Sequence, residues 1–423
     1  MGVAPLVNAP VSAALPSAVF RAQDGRMTSE SYPQVLPPES PRRSADWYEL
    51  FFDLVFVAVI AVAVGLIEVD PTIGAVGVFV GLLFPLWWAW VNLMVTNNLF
   101  GRRFPLVGVL VVSAMPGPAA MAIAIAGGID HLAWLYALGA VWIRLLLLVM
   151  WLVPRKKAAS TISPWRTVAY NLVTAAIWLV SILVPSPYNY LLWAVAVAGE
   201  MGLLALRSRF SAEIYDRASI SHSLERIGLF IVIVIGEAVY LSVTGLAAHP
   251  TFAGGAAALF GFVVCAILAR AFFRWGIPTA EVGLEEAQRS KSYGALRDVV
   301  MYLPFLLIIG LTFVATSIGI SVERAAEPLP LAVRVLLAAG VGILYLTNAA
   351  IGLRLGRPVS RIATLLVPGI VLPAIASIAS GALPAWATML LVAASLVALD
   401  LVSLWLGRTS PASRAAASPA QAA

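Results

Sequence analysis

Apolar residues run along this chain in long, nearly unbroken stretches, each about as long as the hydrocarbon core of a bilayer, with short polar segments between them. Selecting stretches of about 18 or more mostly apolar residues predicts about twelve membrane-spanning helices. They lie near 47–67, 73–99, 105–126, 131–153, 165–184, 188–206, 224–245, 252–274, 296–319, 329–353, 362–380 and 384–406. The class is therefore all-α, a polytopic transmembrane bundle. Prolines are expected to kink two of the spans, Pro116 and Pro118 in the third and Pro368 and Pro373 in the eleventh. The first and seventh spans both open with a glutamate near the start ("YELFFDLVF", "SLERIGLFI"), which suits two parallel six-helix halves.

The flanks differ in kind. Residues 1–44 and 409–423 are rich in Pro, Ser and Ala and read as disordered cytoplasmic tails, the first without the charged start and apolar core of a cleavable signal. That leaves 45–408 as the membrane domain. The one sizeable loop, about 276–295, reads as a surface helix along the membrane, with Thr279 as its cap and Glu285 and Arg289 four apart on one face.

Composition then names the solvent. Apolar residues make up 61% of the chain, charged residues only 11%, and mean hydropathy is +0.94, which excludes a soluble domain. The single cysteine, Cys265, can form no intramolecular disulfide and reads as a small buried apolar residue. Of the 27 Lys and Arg, all but Arg144, Arg324 and Arg334 fall on one side of the predicted helices. Because cytoplasmic loops retain basic residues, both termini are expected in the cytoplasm, with the protein in the cell (plasma) membrane. The net charge of +6 is thereby accounted for without a nucleic-acid partner. The partners expected are the lipid bilayer and an unknown small-molecule or lipid-like ligand, with an oligomer compatible.

Chemistry is sought where ionisable groups interrupt apolar segments, because a charge at the bilayer centre costs roughly 2.5–3.5 kcal/mol on insertion scales. The candidates are Glu49 and Asp53 in the first span, Arg144 in the fourth, Glu200 in the sixth, Glu225, Arg226 and Glu237 in the seventh, Asp298 at the start of the ninth, and Asp400 in the twelfth. At 1.5 Å rise per residue, Asp53, Glu200 and Asp400 lie about 9 Å from the basic ends of their helices, Arg144 about 13 Å and Glu237 about 20 Å. Four of these five share a layer, and Asp53 is the expected partner of Arg144.

Glu49 and Asp53 are four apart and share a face with Phe52 and Phe56 beside them. On the seventh span His222, Arg226 and Glu237 align along a second charged stripe. The plainer reading is that such groups lock helices together, as Asn92, Asn97, Asn98, Asn171 and Asn348 are expected to do by hydrogen bonding between helices. Glu49 lies close enough to the interface for solvation alone. No nucleotide loop, metal triad or nucleophile with its base occurs, so no cofactor is expected.

"WYELFFDLVFV" (47–57) and "HSLERIGLFIVIVIGE" (222–237), with "WWAWVNLMVTNN" (87–98) between them, resemble the signature stretches of the low-temperature-requirement A family of multi-pass membrane proteins. The resemblance implies that Glu49, Phe52, Asp53, His222, Glu225, Arg226, Gly228, Gly236 and Glu237 match the family pattern. Gly236 would let a neighbouring helix approach beside Glu237. The chain departs from that pattern at "LFGRRFP" (99–105), where the family carries an acidic stretch, and at "FFRWGIP" (272–278). It departs again at "VMYLPF" (300–305), where Tyr302 replaces a histidine.

Two functional readings stay open. One is a secondary transporter with Glu237 as coupling carboxylate and Arg144 or the Glu49/Asp53 pair on substrate. The other is a membrane-embedded enzyme acting on a lipid-like or isoprenoid substrate, with Asp53 or Glu237 as acid and Trp87, Trp88 and Trp90 lining its cavity. A structural or stress-adaptation role is a third.

Overall fold

The computed structural model describes residues 46–68, 71–101, 105–153, 164–205, 214–248 and 250–408. The expected tails, 1–44 and 409–423, lie outside the described residues, as does His249. The described chain is built from helices, with one isolated antiparallel bridge between Pro328 and Pro384. In order they are α1 (Trp47–Glu68), α2 (Ile73–Phe100), α3 (Pro105–Ala114), α4 (Pro116–Ala126), α5 (Ile129–Leu152), α6 (Pro164–Ser181), α7 (Tyr188–Ala205) and α8 (Ile220–Ala248). Then come α9 (Phe252–Ala271), α10 (Ile277–Arg289), α11 (Tyr293–Arg297), α12 (Leu303–Glu323), α13 (Leu331–Arg354), α14 (Val359–Ile378) and α15 (Ala385–Arg408).

Ten helical segments among the described residues are long and apolar enough to cross a membrane. The fifth and sixth predicted spans also form helices, α6 and α7, of 18 residues each. Large apolar side chains such as Val109, Val173, Leu191, Val243, Phe262 and Trp405 stand exposed around the bundle. In water that surface would drive aggregation, but against acyl chains it is the solvent-facing side.

Local sequence explains the breaks. Pro116 lacks an N–H, so the third span divides into α3 and α4 around Met115 as expected. In the eleventh span α14 runs on through Pro368 and Pro373 without a break in the helix. Thr72 and Thr251 cap α2 and α9 by accepting from Ala75 and Gly254. Two π turns, Phe272–Gly276 and Asp298–Tyr302, each end two residues before a proline, Pro278 and Pro304. A proline ring clashes with the carbonyl four residues back, and widening the helix by one residue relieves that clash.

The predicted surface helix exists as α10, with Arg289 paired to Glu285 and Glu286 at 3.8 and 3.1 Å. Its cap differs from expectation. The helix starts ahead of Thr279, directly out of the π turn, and Thr279 instead accepts from Arg357 at 2.6 Å.

The same order of packing recurs in both halves. α1 packs on α4, α4 on α5, α5 on α6 and α6 on α7; likewise α8 packs on α12, α12 on α13, α13 on α14 and α14 on α15. The equivalent crossings also use the same device. A Cβ on Gly139 would lie 2.5 Å from the Gly117 carbonyl oxygen, and Cβ atoms on Gly310 and Gly340 would each lie 2.8 Å from the other's carbonyl oxygen. In each half, two backbones therefore touch at a glycine pair. The halves are not identical, since α15 packs on α9 and the first half has no such pairing of α7 with α2 among its principal contacts. α1 and α2 meet α8 and α12 along the seam between the halves. α12 belongs to the most deeply buried span, Tyr293–Glu323, with 83% of its apolar window inside the bundle against 17% for α14.

Candidate functional site

At that seam α1 offers Glu49 and Asp53, one turn apart on one face, to His222 and Arg226, one turn apart on α8. Arg226 grips Asp53 in a fork, Nε to Oδ2 at 2.9 Å and Nη2 to Oδ1 at 2.5 Å. Trp90 of α2 donates its indole N–H to the same Oδ1 at 2.8 Å. The Arg226 guanidinium also lies over the Phe52 ring, 5.3 Å from its centroid.

Glu49 receives a different set. His222 Nε2 is 3.1 Å from one oxygen and Arg226 Nη1 3.4 Å from the other. Asn97 donates its amide to Glu49 as well, and the Asp46 N–H does so at 2.9 Å. Glu49, Asp53 and His222 are fully buried and Arg226 is 1% exposed, so protein groups replace water for every charge. Glu49 is thus not interfacially solvated as its position near the helix start suggested. Aromatic rings pack beside the site, with Trp90 stacked on Trp87 and tilted against Phe230, each 4.8 Å between centroids.

The predicted layer of charges separates into three pairs. Arg144 pairs with Glu200, not with Asp53, while Asp400 of α15 pairs with Arg270 of α9 at 2.9 Å. Asp298, within its π turn, pairs with Arg297 at 2.9 Å and with Arg354. Depth was the correct coordinate but an incomplete one, because partners are fixed by which helices are neighbours.

Glu237 also departs from expectation. It is half-buried and faces Glu68, at the opposite end of α1 from Glu49, with Glu323 beyond. Nothing lies within 4 Å of where a Gly236 Cβ would be, so no helix packs closely there. Glu225 sits half-buried on a neighbouring face of α8.

Sequence reasoning gave two residues the wrong weight. Asn97 reads as a helix-locking amide and Trp90 as cavity lining, yet both are ligands of the two carboxylates. Their spacing of seven, two turns of one helix, puts both on one face of α2, and that shared face is the signal the sequence carries. Asn98 does tie helices, bonding Ser219 and Ser223 of the α8 entry, whereas the side-chain amides of Asn171 and Asn348 donate to their own helices. Tyr302 stacks on Trp88 at 5.6 Å and carries Arg297 over its ring at 5.4 Å. Among the described residues no group of three or more His, Cys, Asp or Glu could hold a metal ion.

An uncharacterized protein of Rhizobium meliloti (strain 1021) is 25% identical over 228 residues, 51% of this chain and 54% of that protein, so the match spans about half the length of the relative. Residues 44–400 match the family model described as "Bacterial low temperature requirement A protein (LtrA)", a range that contains every charged pair above. The chain is therefore a member of the low temperature requirement A family, a multi-pass integral membrane protein.

Proposed function

We propose that this protein is a proton-coupled secondary transporter whose coupling site is the Glu49/Asp53/His222/Arg226 cluster. The observation that carries the reading is the charge balance of a sealed site at the seam of two similarly packed halves. Two carboxylates face one obligatory cation, Arg226, and one group whose charge depends on a proton, His222. With neutral His222 the cluster holds one uncompensated negative charge away from water; with a proton on His222 it is neutral. Uncompensated buried charge is costly, so the packing of α1 against α8 is tied to whether that proton is present. Transporters built from repeats place their sites at such seams and move one half against the other.

His222 has the geometry for exchange. Its Nε2 faces Glu49, and Nδ1 has no hydrogen-bond partner among the described residues. Nδ1 is therefore where an arriving proton can be accepted without breaking an existing bond.

The test needs no substrate. Spin labels placed on the two halves, with the protein in nanodiscs, report the separation of α3 and α13 at about pH 5 and about pH 8, the range over which a histidine switch operates. The proposal expects two populations of distance that exchange weight with pH in the native protein and a single population in His222→Gln. One distance, insensitive to pH, would exclude it.

A further inference from the structure

Arg144 and Glu200 form a pair of their own inside the first half, away from the seam. Glu200 is fully buried and Arg144 is 4% exposed, so this pair too lies away from bulk water. Arg144 Nη1 and Asn171 Oδ1 have no hydrogen-bond partner among the described residues, while Trp88 and Thr174 stand beside the Glu200 carboxylate. Buried donors and acceptors are rarely left so, and a group of them in one place points to a small polar occupant.

Two facing polar stripes lead to it. On α6, Thr167, Asn171 and Thr174 recur at intervals of four and three and so share one face, only 5%, 2% and 3% exposed. On α2, Trp88, Asn92 and Thr96 recur every four residues. The stripes are joined where Tyr170 donates to Asn92 at 3.2 Å, and Trp151 donates to Thr96 at 3.1 Å. Between them lies a cavity of about 30 Å³ whose polar lining is Asn92, Thr96, Thr167, Tyr170 and Asn171. That is room for about two waters and for nothing much larger. Thr96 is in the last turns of α2, Trp151 in the last turn of α5 and Thr167 in the first turn of α6, so the cavity lies near the end of the bundle where those helices terminate.

We propose that Glu200 is a second proton-binding site, hydrated through this track between α2 and α6 and independent of the seam cluster. The ligands are water and a proton. A proton entering along the waters converts the Glu200 carboxylate to the acid while Arg144 keeps its charge, and the reverse transfer returns it to water. The charged or titratable groups facing Glu200 are Arg144 from α5 and Tyr170 from α6. Tyr170, stacked 5.9 Å from the Arg144 guanidinium and bonded to Asn92, stands where the cavity meets the ion pair and gates the connection.

Infrared difference spectroscopy after a rapid pH jump, in H2O and in D2O with the protein in nanodiscs, tests this directly. The expected result is a protonated-carboxyl band that shifts in D2O, is absent from Glu200→Gln and persists in His222→Gln. Should Glu200→Gln fold poorly, Glu200→Asp should move the band instead of deleting it. In the doubly plugged variant Asn92→Leu with Asn171→Leu, the band should rise at least about tenfold more slowly, equivalent to about 1.4 kcal/mol on the barrier, with the elution profile and melting curve recording that the fold is kept. A band with no Glu200 component at any pH, or a Glu200 band whose rate ignores the plug, overturns the proposal. Neither outcome bears on the seam cluster, which the spin-label distances read separately.

Discussion

Arg226 holds Asp53 through two hydrogen bonds, 2.9 and 2.5 Å, across the seam between the first and second halves of the chain. Both side chains are out of water, so removing one partner leaves the other as a buried, uncompensated charge, at a cost of about 3–5 kcal/mol. Asp53→Ala should therefore lower the melting temperature in detergent strongly. Asp53→Asn combined with Arg226→Gln should recover part of the loss, whereas Asp53→Asn combined with Arg144→Gln should show simple additivity, because Arg144 belongs to Glu200.

Trp90 gives a finer test of the same carboxylate. Its indole N–H donates to Asp53 at 2.8 Å while its ring lies parallel to Phe52, 6.3 Å between centroids. Trp90→Phe keeps the stacking and deletes the bond. A hydrogen bond to a buried charge contributes about 1.5–3 kcal/mol, and denaturation of the purified variant should show a loss of that order. The effect should shrink in the Asp53→Asn background, where the acceptor is neutral.

The helical spans and the shared face of Glu49 and Asp53 were legible from periodicity, since spacing determines which residues share a face, and the α1 and α8 signature stretches from their resemblance to a known family. The pairing of charges was not. Depth along a helix is one coordinate, and Asp53, Glu200 and Asp400 have nearly the same depth, so only knowing that α5 and α7 enclose one site and α1 and α8 another separates Arg144 from Arg226. Glu237 misled for the same reason. Glu237 shares α8 with Arg226, but Arg226 meets the acidic start of α1 whereas Glu237 meets Glu68 near its far end. The Gly117/Gly139 and Gly310/Gly340 crossings left no polar signal among 32 glycines.

Those crossings make a prediction about the two halves. A Cβ at Gly139 or Gly310 would meet a backbone oxygen, which cannot rotate away, so Gly139→Ala and Gly310→Ala should each destabilise by about 1–3 kcal/mol through overpacking. Gly236→Ala meets nothing within 4 Å and removes a flexible residue from a helix interior, so it should be neutral or stabilising by up to about 1 kcal/mol. Thermal melts of the three variants separate the cases, and equal behaviour would contradict the close approach of α4 to α5 and α12 to α13.

The basic residues predict a membrane orientation that is open to direct assay. Reporter fusions at Ser186, between α6 and α7, and at Gly381, between α14 and α15, should report the external side. A fusion at Arg357, between α13 and α14, should report the cytoplasm. A cytoplasmic signal at Ser186 would invert α6 and α7 or remove them from the membrane, and with them the first half's likeness to the second.

Glu237 and His222 compete for the role of coupling group, and their surroundings predict opposite outcomes. Glu237 is half-buried beside Glu68, so Glu237→Gln deletes a repulsion and leaves no cation stranded. Its effect on stability should stay within about 0.5 kcal/mol, and the pH response of the distance between α3 and α13 should survive. His222 is fully buried against Glu49, and Glu49 shares Arg226 with Asp53, so His222→Gln fixes the charge of the whole cluster. The pH response should vanish with it while α1 stays packed on α8, since a glutamine amide can still donate to Glu49. Spin-label distances measured on both variants across pH decide the matter: loss of the response in Glu237→Gln and its survival in His222→Gln would move the coupling group from the Glu49 end of α1 to the Glu68 end.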